Sequence, residues 1–201
     1  MLLAKSEATI ESILDAARTL FLSNNYADVT VSMIAARARL TKGAIYHHFG
    51  SKEELYLSML YRDLAEKRAA FRKASSAPGT CRERLSLLTR SFLEMPRKKR
   101  RVMRLVRRDI NVFRGAERER LIKAYQDSLP EVVETIVREG IERGEILPGD
   151  PRLLSWQFVA LVEVALSPYA DTLFDTLDGK LNQVLDLFLD GAAAPKNGAS
   201  S

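Results

Sequence analysis

TVSMIAARARLTKGAIYHHFGSKEEL, residues 30–55, decides the fold. Thr30 or Ser32 can cap a short helix ending near Ala38, and Thr41 can cap a second over about Lys42–Phe49, because a Ser or Thr side-chain oxygen accepts from the free amides of a helix's first turn. Gly50 ends that helix, and Ser51 with Glu54 has the S-x-x-E spacing of a capping box that starts another. Two short helices joined by a tight turn make a helix-turn-helix, whose first helix crosses the DNA backbone while its second lies in the major groove. The side chains suit this. Ile34, Ala35, Ala38 and Leu40 offer small and apolar packing faces. Ile45 and Phe49, one helical turn apart, fall on one side of the second helix, and Lys42, Gly43, Tyr46 and His47 fall on a different arc.

The local charge agrees. Between Arg37 and Lys52 stand Arg37, Arg39, Lys42 and Lys52, with no acidic residue among them. Phosphate contacts need donors and positive charge along one surface, and the helix starts at Thr30–Ser32, Lys42 and Lys52 add free backbone amides that suit phosphate oxygens.

Working outward, Ile10, Ile13, Leu14, Ala17, Leu20 and Phe21 make the apolar stripe of a helix over roughly Glu7–Leu22, which Asn24-Asn25 can stop. Downstream, the helix begun at Ser51 runs to about Ser75, and SSAPGT (75–80) is a loop by its Pro-Gly chemistry. Further helices fit Arg82–Glu94, Arg97–Phe113 and Glu117–Arg143, the last kinked or divided at Pro130. ILPGDP (146–151) is a break, and Asp150-Pro151 reads as N-cap and first position of a helix to about Leu166. A final helix spans roughly Gly179–Leu189, and the tail AAAPKNGASS (192–201) reads as disordered. The fold class is all-α, divided as 1–52, a helix-turn-helix DNA-binding domain, 53–191, a larger helical domain, and 192–201, the tail.

The 201 residues are 46% hydrophobic and 28% charged, enough for a real core with an ordinary polar surface. The net charge is +5, yet residues 1–60 are neutral overall, and the excess comes largely from PRKKRRVMRLVRR (96–108). That run has two readings: a solvated helix face, or a surface attracting an acidic ligand or the DNA backbone. Its superficial likeness to a nuclear localisation signal is coincidence beside a bacterial-type motif. Met103, Leu105, Val106 and Ile110 interleave with the charges, so this helix also packs inward. Cys81 is the only cysteine, so no intrachain disulfide forms, and it reads as an ordinary helix-start residue. MLLAKSEATIESIL lacks the features of a signal peptide, and the most apolar stretch, Phe158–Leu166, is too short to span a membrane.

There is no Gly-rich phosphate loop, metal-ligand cluster or nucleophile–base pairing, which argues against an enzyme. His47 and His48 point about 100° apart on a helix and are no metal pair; neither metal nor cofactor is expected. A helical scaffold is the other alternative, but it would not need the capped short helix carrying TKGAIYHH.

ILDAARTLF (13–21), followed by VTVSMIAARARLTKGAIYHHFGSKEEL (29–55), closely resembles the N-terminal domain of the TetR (tetracycline-repressor) family, with TKGAIYHHFGSKEEL the most specific part. Beyond about residue 60 the resemblance is one of helical layout only. It implies that Lys42, Gly43 and Tyr46 lie against DNA, with His47 and His48 as further contacts, Ala44 against a thymine methyl, and Thr30 and Lys52 clamping phosphates. Ser32 would reach a phosphate or base edge, and Thr41 and Arg39 belong to the same surface. Arg39 departs from the family pattern, which usually has Gly in the turn. Either the turn differs or strain of roughly 1 kcal/mol is carried there.

The resemblance also implies a cytoplasmic, nucleoid-associated bacterial repressor. It would bind a palindromic operator as a homodimer and be released by a small-molecule effector in the C-terminal domain. Phe92, Met95, Met103, Phe113, Tyr125 and Trp156 are large side chains, of which several could line an effector cavity. Glu163, inside the nearly all-apolar FVALVEVAL (158–166), would sit at an interface edge or line that cavity. The dimer seam would use the last two long helices, through Phe158, Val162, Leu166, Leu181, Val184, Leu185 and Phe188, as a four-helix bundle.

Overall fold

The computed structural model describes residues 2–191, with side chains from Ser6 onward; the tail at 192–201 lies outside them. The described residues form eleven α-helices, with no strand among them: α1 (Leu2–Ser23), α2 (Val31–Ala38), α3 (Lys42–His48), α4 (Lys52–Ser75), α5 (Cys81–Leu93), α6 (Arg97–Asp109), α7 (Gly115–Ser128), α8 (Pro130–Glu142), α9 (Pro151–Ala165), α10 (Pro168–Leu173) and α11 (Leu177–Leu189). A single 3₁₀ turn, Ile110–Val112, continues α6. The all-α expectation holds. Pro130 divides the long helical stretch by standing at the first turn of α8, where its missing N–H costs nothing. Asp150 caps α9 by accepting from the Leu153 amide at 2.6 Å. The short α10 is an addition to the sequence reading: Ser167 accepts from the Ala170 amide at 3.1 Å, and Pro168 follows as the first helical residue.

By packing, the chain divides into two units, Met1–Arg68 with Met95–Ser128 and Ala69–Glu94 with Leu129–Ser201. Packing thus takes α6 and α7 into the same unit as α2 and α3, whereas the sequence reading divides the chain at residue 52.

In the first unit α1 packs on α2 and α6, α2 on α3, and α6 on α7. The stripe read from the sequence is what α1 buries: Ile13, Leu14, Ala17 and Phe21 are sealed, joined by Ile34, Ile45 and Leu55. Each isoleucine, leucine or phenylalanine among them contributes about 1.5–3 kcal/mol when removed from water. Phe21, Tyr26, Tyr56 and Phe113 form an aromatic cluster with ring centroids 4.3 to 6.0 Å apart. The Tyr56 hydroxyl donates to Asp109 Oδ2 at 2.5 Å, and Arg108 holds the same carboxylate through Nε and Nη2 at 2.7 Å each. Burial, reinforced by that bond, pushes the Tyr56 phenol far above its ordinary value.

In the second unit α5 packs on α8, α8 on α9, α9 on α11 and α11 back on α5, closing a ring of four helices. Leu85, Leu88, Val133, Ile136, Val137, Phe158, Val162, Leu181, Val184 and Leu185 fill it. Thr80 and Glu83 close a reciprocal capping box at the start of α5. The amide of Cys81 donates to the Glu145 carboxylate.

Candidate nucleic-acid interface

α3 owes its orientation to two residues. Ile45 and Phe49 are buried, at 1% and 6% exposure, and pin one side of the helix to the unit beneath. The opposite arc then faces solvent by geometry: Tyr46 is 53% exposed, and Thr41, Lys42, Gly43 and His47 are exposed with it. Ala44 and His48 are half-buried at the margin, and the two imidazoles meet edge-on at 5.1 Å. Among the described residues no group of three or more His, Cys, Asp or Glu is arranged to hold a metal. A Cβ added at Gly43 would meet only Thr41 Oγ1, at 3.8 Å. Nothing within the chain crowds that position.

Both short helices begin as the sequence indicates. Thr30 Oγ1 accepts from the Met33 amide at 3.2 Å, and Thr41 Oγ1 from the Ala44 amide at 3.1 Å. Each hydroxyl hydrogen stays free for another acceptor. Ser32 is exposed on the first turn of α2. The capping box after Gly50 closes with a shift: Ser51 accepts from the Glu54 amide at 3.0 Å, but Glu54 reaches back to the Gly50 amide, at 2.8 Å.

Two residues behave differently from a simple contact list. Arg39 stands at the C-cap of α2 with φ 57 and ψ 41, the only non-glycine with positive φ among the described residues. The turn is therefore left-handed at Arg39, and the strain is carried by an exposed arginine. Lys52 does not project its ammonium freely as a phosphate clamp. Its Nζ donates to the carbonyls of Tyr26 at 2.9 Å and Val29 at 3.0 Å and lies 4.3 Å over the Tyr26 ring. It ties the turn after α1 to the start of α4, with one of its three donors left over.

Two family models match: "Bacterial regulatory proteins, tetR family" over residues 13–59, and "Tetracyclin repressor-like, C-terminal domain" over residues 78–166. The chain belongs to the TetR family of transcriptional regulators. A Bacillus subtilis relative, the fatty acid metabolism regulator protein, is 26% identical over 89% of this chain and 93% of its own. The crystal structure of the transcriptional regulator FadR from Bacillus subtilis in complex with stearoyl-CoA matches at TM-score 0.74 and 25% identity, covering 91% of this chain and 99% of that one. A Clostridium perfringens putative fatty acid metabolism regulator shares the fold at TM-score 0.78 and 21% identity, over 92% of this chain and all of its own. These relatives are named as regulators, not enzymes. No helix among the described residues is long and apolar enough to cross a membrane.

The large side chains and the carboxylate offered for an effector cavity divide between the two units. Met95, Met103, Phe113 and Tyr125 stand in the first unit, and Phe92, Trp156 and Glu163 in the second. Phe113 belongs to the aromatic cluster, and Phe92 packs edge-on against Phe71 at 5.7 Å. Met103 and Tyr125 are buried; Met95, Trp156 and Glu163 are half-buried. Of the residues assigned to the dimer seam, Phe158, Val162, Leu181, Val184 and Leu185 are buried inside the protomer, with Phe188 edge-on to Phe158 at 5.0 Å and Leu166 half-buried. Five of the seven thus belong to the protomer's own core, while Leu166 and Phe188 keep part of their surface open. The apolar side chains that α9 and α10 do expose are Leu153, Val164, Tyr169 and Leu173, with Ala160 on the same face of α9 as Leu153 and Val164. Helical periodicity marks an apolar face without saying whether it meets the protomer or a partner.

Proposed function

We propose that this TetR-family protein is a transcriptional repressor that binds a palindromic operator as a homodimer and leaves it when an acyl-coenzyme A thioester binds its C-terminal domain. The carrying observation is the two-sidedness of α3: Ile45 and Phe49 are buried while Tyr46, Lys42, Gly43 and His47 face out. A major groove admits one helix whose outward side chains reach base edges. Lys42 and Tyr46 donate to phosphates and bases, with His47 and His48 beside them. Ala44 meets a thymine methyl, and Gly43 lets the backbone close in. Thr30, Thr41 and Ser32 offer hydroxyls to phosphates at two helix starts, and Arg39 adds charge between them. Lys52 acts mainly by holding the turn before α2, with its spare N–H for phosphate.

The subunits meet through the exposed apolar face of α9 and α10, Leu153, Ala160, Val164, Tyr169 and Leu173. Their twofold axis sets two α3 helices about 34–36 Å apart for adjacent major grooves. The effector class follows from the Bacillus subtilis relative's name and from the FadR structure that holds stearoyl-CoA. Release requires the effector to bind the DNA-free state better than the DNA-bound one, and a coupling of about 1–3 kcal/mol suffices.

The test is selection of bound duplexes from random DNA, followed by titration of the selected site with and without stearoyl-coenzyme A. The reading expects a twofold-symmetric site and a loss of affinity when the thioester is added. Selection without enrichment overturns the DNA-binding reading; unchanged affinity with every acyl chain length overturns the effector class.

A further inference from the structure

We propose that α6 is a second phosphate-binding element, gripping the DNA backbone outside the sequence that α3 reads; this rests on the DNA-binding reading above. Arg97, Arg101, Arg104 and Arg108 recur at spacings that place them on one face of α6, and all four are exposed. From the first to the last the row is about 16 Å long, at 1.5 Å per residue. The opposite face is fixed inward, because Val102, Met103, Leu105 and Val106 are buried. The helix's one carboxylate, Asp109, is also buried, under Tyr56 and Arg108.

α6 is fastened to the reading head rather than standing apart from it. Arg101 donates to the carbonyl of Leu22 at 3.2 Å, and Arg108 to those of Phe21 and Asn24 at 3.2 Å each. Lys98 donates to Thr19 Oγ1 at 3.2 Å. Two residues beyond Asn24 the chain reaches Tyr26, which carries Lys52, and then Thr30 at the start of α2. The arginine row of α6 is therefore fixed to the end of α1 and, through the turn that carries the exposed Asp28, joined to the cap of α2.

Capping the C-terminal carbonyls of α1 accounts for Arg101 and Arg108. It does not account for Arg104, which is exposed and has no hydrogen bond or ion pair among the described residues. The shape of the row selects the partner. Cations on successive turns stand about 5–6 Å apart and do not converge on a point, so they fit a linear polyanion rather than a compact anion. Duplex DNA is such a line of charge.

The test compares wild type with Arg97→Gln/Arg104→Gln on two duplexes, the selected site alone and the same site flanked by about one further helical turn on each side. Wild type is expected to bind the flanked duplex several-fold more tightly. Its slope of log affinity against log salt should be steeper there by about 0.9 for each added phosphate contact. The variant should bind the short duplex like wild type and lose the gain on the long one, and Arg104→Lys should restore part of it. Equal wild-type affinity for both duplexes, or a variant that keeps its preference for the longer one, overturns the proposal. A variant altered only in the stearoyl-coenzyme A concentration needed for release also overturns it and assigns the row to the effector's phosphates. Failure of wild type on both duplexes is a failure of the DNA-binding reading itself.

Discussion

The guanidinium Nε of Arg18 in α1 lies 2.9 Å from Oδ2 of Asp63 in α4, and both residues are sealed from solvent. Burial works against the charge on Arg18, but Asp63 and Asp15 together leave its pKa raised. The other oxygen, Asp63 Oδ1, has no hydrogen-bond partner among the described residues. A buried pair is worth little over an apolar replacement, but removing one member strands the other charge at about 3–5 kcal/mol. Asp63→Ala should therefore lower the denaturant midpoint strongly, whereas Arg18→Met/Asp63→Leu should recover only part of the loss, the buried Lys67 ammonium still lacking the Asp63 charge. Equilibrium unfolding in urea distinguishes the two variants.

Lys67 lies one turn beyond Asp63 and is 1% exposed, its ammonium only 3.4 Å from the Asp63 carbonyl. Burial, only partly countered by Asp63 and Glu66, lowers its pKa from 10.5 to about 8. The unfolded chain thus binds this proton more tightly, and stability rises with pH between about 8 and 10.5. The penalty is fully present below about 8 and amounts to about 3 kcal/mol. Lys67→Met should be more stable than wild type at pH 7, with the advantage shrinking toward pH 10. Thermal melts of the pair across that range check both the sign and the window.

Arg39 carries its left-handed backbone without a glycine's freedom. Arg39→Gly should raise stability by about 1 kcal/mol while weakening DNA binding and making its salt dependence shallower. Melting temperature and binding at two salt concentrations, measured on the same preparation, should move in opposite senses.

Gly140 in α8 faces Cys81, whose thiol burial pushes up to about 11, with Glu145 adding to the shift. A Cβ at 140 would stand 3.0 Å from Cys81 Cβ, 3.1 Å from its Sγ and 3.2 Å from Ile146 Cδ1. Alanine gains up to about 1 kcal/mol of helix propensity, but overpacking costs about 1–3 kcal/mol. Gly140→Ala should lower the melting temperature, and adding Cys81→Ala should recover part of the loss.

The fold was legible where chemistry is local. Thr30, Thr41, Asp150 and Pro130 mark helix ends through their own side chains or missing N–H, and the structure uses each as a helix end. Ser167-Pro168 carries the same signal before α10, but six residues offer too short an apolar stripe to mark a helix by periodicity. The structural role of Lys52 is not legible in the sequence, for a different reason. Its carbonyl partners, Tyr26 and Val29, are more than twenty residues away, and no local pattern encodes such a contact. Phe158 and Val162 show the limit of periodicity, since an inward stripe reads the same whether it meets its own protomer or another.

The most direct measurement is the affinity of Lys42→Ala for the selected operator, read with its thermal midpoint. Lys42 is exposed on α3 and should lose at least about tenfold in binding, roughly 1.4 kcal/mol, with an unchanged melting temperature. Unaltered operator affinity in that variant contradicts the assignment of α3 as the helix that reads DNA.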